Sequence, residues 1–186
     1  RRSSTWQEML TIVPEVLPSR TNVARPDWAA DNMEGRRAQA REVINQWEAA
    51  NGAVRPLRID MPRGPGGRIM FARIRADLAA IGLEVERVSP GREADLRLID
   101  EVADQSTPAW YLAQLSCKVT PICSADADAL VTEARMATNT ATRAQLLGLA
   151  EADLQTKRNF IPLAYPLRWS AVRSGLLGYA PNGRGW

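Results

Sequence analysis

The run PLRIDMPRGPGGRIMFARIRADLAAIGLEVERVS, Pro56 to Ser89, changes its hydrophobic period twice. Leu57, Ile59 and Met61 alternate with Arg58 and Asp60, the two-residue period of a strand with one buried face. Pro62 and Pro65 stop the ladder, since neither donates to it and each restricts the residue before it. Gly64, Gly66 and Gly67 give the turn backbone angles closed to other residues. From Arg68 a helical period takes over. Met70, Ile74, Leu78 and Ile81 share one side, and Arg73 and Asp77 stand one helical turn apart for an ion pair. Gly82 suits the C-terminal cap, and Leu83 and Val85 against Glu84 and Glu86 resume strand alternation. Strand, helix and strand at this length predict a right-handed crossover between parallel strands, and therefore an α/β domain.

Outward from this unit, composition sets the bounds. A chain of 186 residues suits one ordinary domain with an appendage. Apolar content of 45% and charged content of 24% are ordinary globular usage, which argues against wholesale disorder. No apolar run approaches the roughly 20 residues that span a bilayer. The formal charge is +3, but the arginines are interleaved with acids, so no nucleic-acid partner is expected. Histidine is absent, which excludes Ser–His–Asp and Cys–His catalysis and His-ligated metals. No cofactor and no metal are expected. The chain opens at Arg1 with no apolar leader, as expected of a processed chain or a piece of a longer one.

On the amino-terminal side, Trp6, Met9, Leu10 and Val13 give residues 4–13 a short helical pattern. Val16 to Trp28 lacks periodicity and reads as an extended surface segment anchored by Val23 and Trp28. Asn32 caps a helix with Ala40, Val43, Ile44 and Trp47 on one face. On the carboxyl-terminal side, Ala94 to Ile99 alternates as a further strand. A short helix starts near Pro108, Ser124 caps another, and Asn139 or Thr140 opens a longer one. Phe160 to Trp169 is apolar and proline-interrupted, an edge strand rather than a central one.

Few residues here carry chemistry. RGPGG lacks both the P-loop and the dinucleotide-fold spacings and reads as a structural turn. Asp126 and Asp128 read as charges at a helix start rather than a metal site. Cys117 and Cys123, with CxxC spacing absent, read as a local disulfide of an oxidising compartment; two buried free thiols are the alternative. Asp100, Glu101 and Asp104 follow the end of a predicted strand, the edge where open α/β sheets bind ligands. Three carboxylates there suit a cationic or amine-bearing ligand; a hydrated acidic loop fits the pattern equally well.

The order of the pieces resembles the C-terminal portion of family 5 extracellular solute-binding proteins, the oligopeptide- and dipeptide-type receptors of ABC importers. Arg37, Ala40 and Arg41 form an R-x-x-A-R helix ahead of the central unit with its I-G-L-x-V, Ile81 to Val85. ADLRLIDEVADQSTPAWYL resembles the family's strand followed by A-D-x-x-x-P-x-x-F-L. Asp128 in DADALV and Arg143 in TATRAQLL match a D-x-L-[IV] helix and an R-x-x-L helix. IPLAYPLRWSAVRSGLLGYAPN resembles the closing I-P-L-x-x-P strand and G-Y-x-P-N tail.

That resemblance implies one lobe of a type II periplasmic-binding-protein-like fold, a mixed sheet flanked by helices. Residues 1–159 would form the C-terminal lobe with its extended amino-terminal segment, and residues 160–186 the tail returning to an N-terminal lobe outside this chain. It implies no enzyme but a periplasmic or extracellular receptor that hands a peptide or other amine-bearing solute to an ABC permease. Asp104 falls on the aspartate that meets the ligand's α-ammonium in peptide-binding members, with Asp100 and Glu101 beside it. Glu101 and Val102 depart from the aromatic residue and cysteine of those members, which leaves sugar-like and other amine-bearing solutes open. Exposed apolar residues near Phe160 to Trp169 would favour self-association of the isolated chain. A stand-alone α/β interaction domain and a small α/β enzyme are the competing readings.

Overall fold

The computed structural model describes residues 6–15, 17, 25–166 and 173–178. In chain order its elements are β1 (Trp6–Glu8), α1 (Met33–Asn51), β2 (Leu57–Asp60), α2 (Pro65–Ala79), β3 (Val85–Val88), β4 (Leu96–Arg97), α3 (Pro108–Ala113), α4 (Ala125–Met136), α5 (Thr140–Lys157) and β5 (Ala164–Pro166). A 3-10 turn, Asp27–Ala30, precedes α1. The chain divides into two compact units, one of residues 28–101 and one of residues 1–27 with 102–186.

The unit of residues 28–101 is built on the crossover expected from its period changes. β2 lies between β3 and β4, parallel to both, with Leu57 opposite Val85 and Ile59 opposite Leu96. α2 begins at Pro65, earlier than the Arg68 start read from periodicity. Proline suits the first helical position, so the glycines that look like loop enter the first turn. Gly67 has a steric reason to be glycine, because a Cβ there would lie 2.0 Å from the Pro62 carbonyl oxygen. At the other end Leu83 N–H donates to Leu78 O (3.1 Å) and Gly82 N–H to Ala79 O (3.1 Å), with Gly82 at φ +92. That is the paired closure in which glycine takes the left-handed position. Ile59, Met61 and Val85 are the buried centre, covered by Met70, Phe71, Ile74 and Leu78. β4 is only two residues of the longer strand expected over Ala94–Ile99. Hydrogen bonds from Asp95 N–H to Arg58 O and from Leu98 N–H to Asp60 O continue its pairing.

α1 is capped by the Asn32 side chain, which accepts from Gly35 N–H at 2.8 Å. Its expected apolar face is only partly covered: Ala40 and Ile44 are half-buried, while Val43 and Trp47 are exposed. Arg37 ties it to Asp77 of α2 at 3.2 Å. Arg73 makes the expected pair with Asp77 at 3.3 Å.

In the second unit α3, α4 and α5 enclose a core of Leu112, Ala127, Val131, Ala134, Leu147, Ala150 and Leu154, with Val13 inserted among them. Thr107, Ser124 and Asn139 cap the three helices through their side chains. The helical pattern read over residues 4–13 is corrected by the structure, in which Trp6–Glu8 is a strand antiparallel to Ala164–Pro166. So short a helix is unstable alone, and here the backbone pairs with a partner more than 150 residues away. Within Phe160–Trp169, residues 164–166 form the strand; Trp169 and most of Val16–Ala24 fall outside the described residues. Among the described residues no helix is long and apolar enough to cross a membrane.

Candidate ligand-binding site

The acidic residues singled out by sequence divide between the units. Asp100 and Glu101 are the last but one and last residues of the 28–101 unit, whereas Asp104 belongs to the other, three positions before the Thr107 cap of α3. All three are exposed, and among the described residues no hydrogen bond or ion pair engages them. Such carboxylates stand open to solvent and are available to a cation.

A feature missed by the sequence reading lies at the carboxyl ends of β2 and β3. Arg63, Arg68 and Arg87 line an open pocket of about 340 Å³ with Gly64, Ser89 and Pro90. The glycine-rich turn delivers the first turn of α2 to it, where backbone N–H groups lack helical partners and the helix dipole favours negative charge. Arg87 is anchored by a 2.5 Å hydrogen bond to Pro62 O. Arg63 and Arg68 are exposed and have no ion-pair partner among the described residues. Among the described residues no carboxylate lines the pocket. The nearby buried Asp60 is already matched, by Arg97 at 3.1 Å and Gly91 N–H at 3.4 Å. Gly64 (φ +103) and Gly67 do serve the turn. The available signal was the pair of arginines flanking GPGG together with a third on the next strand.

Beside Pro56, Arg55, Arg58 and Glu86 line a second open pocket, of about 420 Å³, but its arginines are engaged. Arg55 forks onto both oxygens of Asp95 (2.8 and 2.6 Å), and Arg58 N–H donates to the same carboxylate at 2.8 Å. Those bonds, Arg55's first, hold the Asp95 carboxyl well below the usual carboxylate range and raise Arg55. Among the described residues Arg58 Nε makes no hydrogen bond; Asp95 at 3.8 Å is an ion-pair neighbour only. This is a brace between β2 and β4.

The family-like motif residues also serve the fold. Arg143 donates to Ala134 O (3.2 Å) and Ala137 O (2.6 Å), closing the carboxyl end of α4. Asp128 accepts from Cys117 N–H at 2.9 Å. Cys117 and Cys123 are disulfide-bonded, as the preferred reading had it. Ser124, buried, donates to Asp153 and accepts from Ala127 N–H (3.2 Å) and Lys157 Nζ (2.7 Å). A serine beside a lysine invites a nucleophile reading. Hydrogen bonding to Asp126, with Asp153 nearby, raises the Lys157 pKa instead, so the amine stays protonated and is no base. Among the described residues no group of His, Cys, Asp or Glu has the makings of a metal site.

No protein-family model matches the sequence. Di/tripeptide-binding protein 4 of Pseudomonas aeruginosa (strain UCBPP-PA14) is 29% identical over 139 residues, 65% of this chain and 26% of that protein. Di/tripeptide-binding protein 2 of the same strain is 26% identical over 174 residues, 82% and 32% respectively. Among solved structures, the unliganded open form of the periplasmic murein tripeptide binding protein MppA overlays with a TM-score of 0.74 at 14% identity, over 86% of this chain and 34% of that one. The Helicobacter pylori binding protein DppA in complex with peptide STSA gives 0.65 at 20%, over 87% and 34%. This chain is similar to one part of these di/tripeptide-binding proteins, and its fold is similar to one part of the solved peptide-binding structures. The family read from the motifs is the family of these matches, and the α/β fold expected is the fold observed. The chain spans between a quarter and about a third of its relatives' length.

Proposed function

We propose that this chain is part of a substrate-binding protein of an ABC importer, a non-enzymatic receptor that captures a short peptide or another amine-bearing solute. The observation that carries the reading is Asp104: it occupies the A-D-x-x-x-P position of the family pattern and is exposed without a partner among the described residues. In this reading Asp104 accepts the ligand's ammonium. The Arg63, Arg68 and Arg87 pocket, taken by itself, suits a carboxylate or other anion. Residues 1–159 belong to the C-terminal lobe and 160–186 return toward the remaining lobe. The permease is the macromolecular partner.

The disulfide supports a periplasmic or extracellular location, since oxidising compartments preserve such bonds. Ile161 and Leu163, both exposed, support self-association of the isolated chain; the side chains of Tyr165 and Trp169 lie outside the described ones. In a full-length receptor carrying this sequence, Asp104→Asn should weaken tripeptide binding by about 1.5–3 kcal/mol, the worth of a hydrogen bond to a charged group. Calorimetry reads the change. Unaltered affinity would reduce Asp104 to a loop carboxylate.

A further inference from the structure

Glu151 lies in the middle of α5, 2% exposed, beside Ala150 and Leu154 of the core. A carboxylate in such a place is costly unless donors meet it. One donor is far away in sequence: the Val13 backbone N–H, 138 residues earlier, lies 2.9 Å from Oε1. Gln155 Nε2 stands 3.5 Å from the same oxygen. The Val13 carbonyl in turn accepts from the Thr11 hydroxyl at 2.9 Å, and both residues are 1% exposed. Side chains, not a ladder or a helix, thus hold both polar backbone groups of Val13. Just ahead of this strap runs β1, paired with β5, and Met9 N–H extends the pairing to Leu163 O at 3.3 Å. Only three residues separate Met9 from Val13, so whatever holds Val13 holds the base of the two-stranded ribbon.

We infer that Glu151 is a positioning residue for that ribbon: its carboxylate latches the strap Thr11–Val13 to α5 and sets the rigidity of the paired strands β1 and β5. The inference stands apart from the ligand reading, because it concerns only this unit of the chain. A merely space-filling role makes a different prediction, since an apolar side chain of similar length would then serve. Glu151→Met keeps the volume and removes the acceptor, whereas Glu151→Gln keeps an acceptor.

Amide hydrogen exchange on the whole chain separates the two roles, because local openings are read residue by residue. In Glu151→Met the Val13 and Met9 amides should exchange at least about tenfold faster, as loss of a hydrogen bond to a charged group implies. Glu151→Gln should speed both by no more than about threefold, with the interior amides of α4 and α5 unchanged in either variant. Faster exchange at Val13 alone would overturn the inference, as would equal behaviour of the two variants or a uniform rise across the unit. Should Glu151→Met fail to fold, Glu151→Gln decides alone. Val13 and Met9 must then lead the α5 amides, and a uniform rise refutes the latch.

Discussion

Around α4 and α5 Asp126, Asp153 and Lys157 are consumed by one another, whereas the carboxyl edge of β2 and β3 leaves Arg63 and Arg68 uncommitted among the described residues. Ser124, Asp126, Asp153 and Lys157 form one closed set, and Arg143 is spent on the last carbonyls of α4. Arg63 and Arg68, by contrast, face an open pocket beside a helix start. Even within the sheet unit the contrast repeats, for Arg55 is locked onto Asp95 and Arg58 pairs with Glu93 at 3.3 Å. Polar residues that satisfy each other stabilise a fold and have little left for a ligand. Those without partners among the described residues stay available to a counter-charge, and exposed Asp104 is of this second kind.

The comparison breaks most readily in the helical core. Leu112, 2% exposed, should cost about 2–5 kcal/mol when cut to alanine, measured by urea unfolding followed by ellipticity. A loss below 1 kcal/mol would show that α3 does not belong to that core. The disulfide comes next. It closes a short loop, so reduction should lower stability by about 2 kcal/mol, and intact mass before and after reduction should show one bond. Two thiols alkylated without reductant would contradict it.

Arg143→Ala removes a cap and should cost about 1 kcal/mol, while Arg63→Ala, which breaks nothing in the fold, should leave stability within about 0.5 kcal/mol. Equal losses would erase the distinction between spent and unspent arginines. The Asp95 brace adds a pH signature. Its carboxyl is depressed in the folded chain, so the folded state resists the proton that the unfolded state accepts near pH 4. The brace is therefore in full force above that value and is lost as pH falls through the lower, folded one. Asp95→Asn should flatten the acid limb of the stability curve; an unchanged limb would mean that the brace is screened by solvent. Smallest of all, Arg158 holds the left-handed position after α5 at φ +51. Glycine there should be neutral or stabilise by less than about 1 kcal/mol.

Much of this was legible because local rules and the fold agree. The period changes around RGPGG, the caps at Asn32, Ser124 and Asn139, and Gly82 all act within a few residues of themselves. β1 was not legible, since what makes Trp6–Glu8 a strand is a partner at Ala164–Pro166. Glu151 was hidden for the same reason: in AEAD it reads as a solvent-facing acid, and Val13 gives it a buried role. The pocket arginines come from a turn, a helix and a strand, and only the parallel pairing gathers them. Asp104 was picked out by the family pattern and could not have been from periodicity, because an acidic loop and an ammonium anchor have the same spacing.

The most direct test of the receptor reading is calorimetric titration of a full-length receptor carrying this sequence, with one tripeptide supplied free and N-acetylated. Acetylation removes the ammonium and leaves the rest of the ligand intact. The account predicts binding of the free peptide and a loss of at least about tenfold on acetylation, and it predicts that Asp104→Asn abolishes most of that difference. Equal affinity for the two peptides, or discrimination that survives in Asp104→Asn, would contradict it.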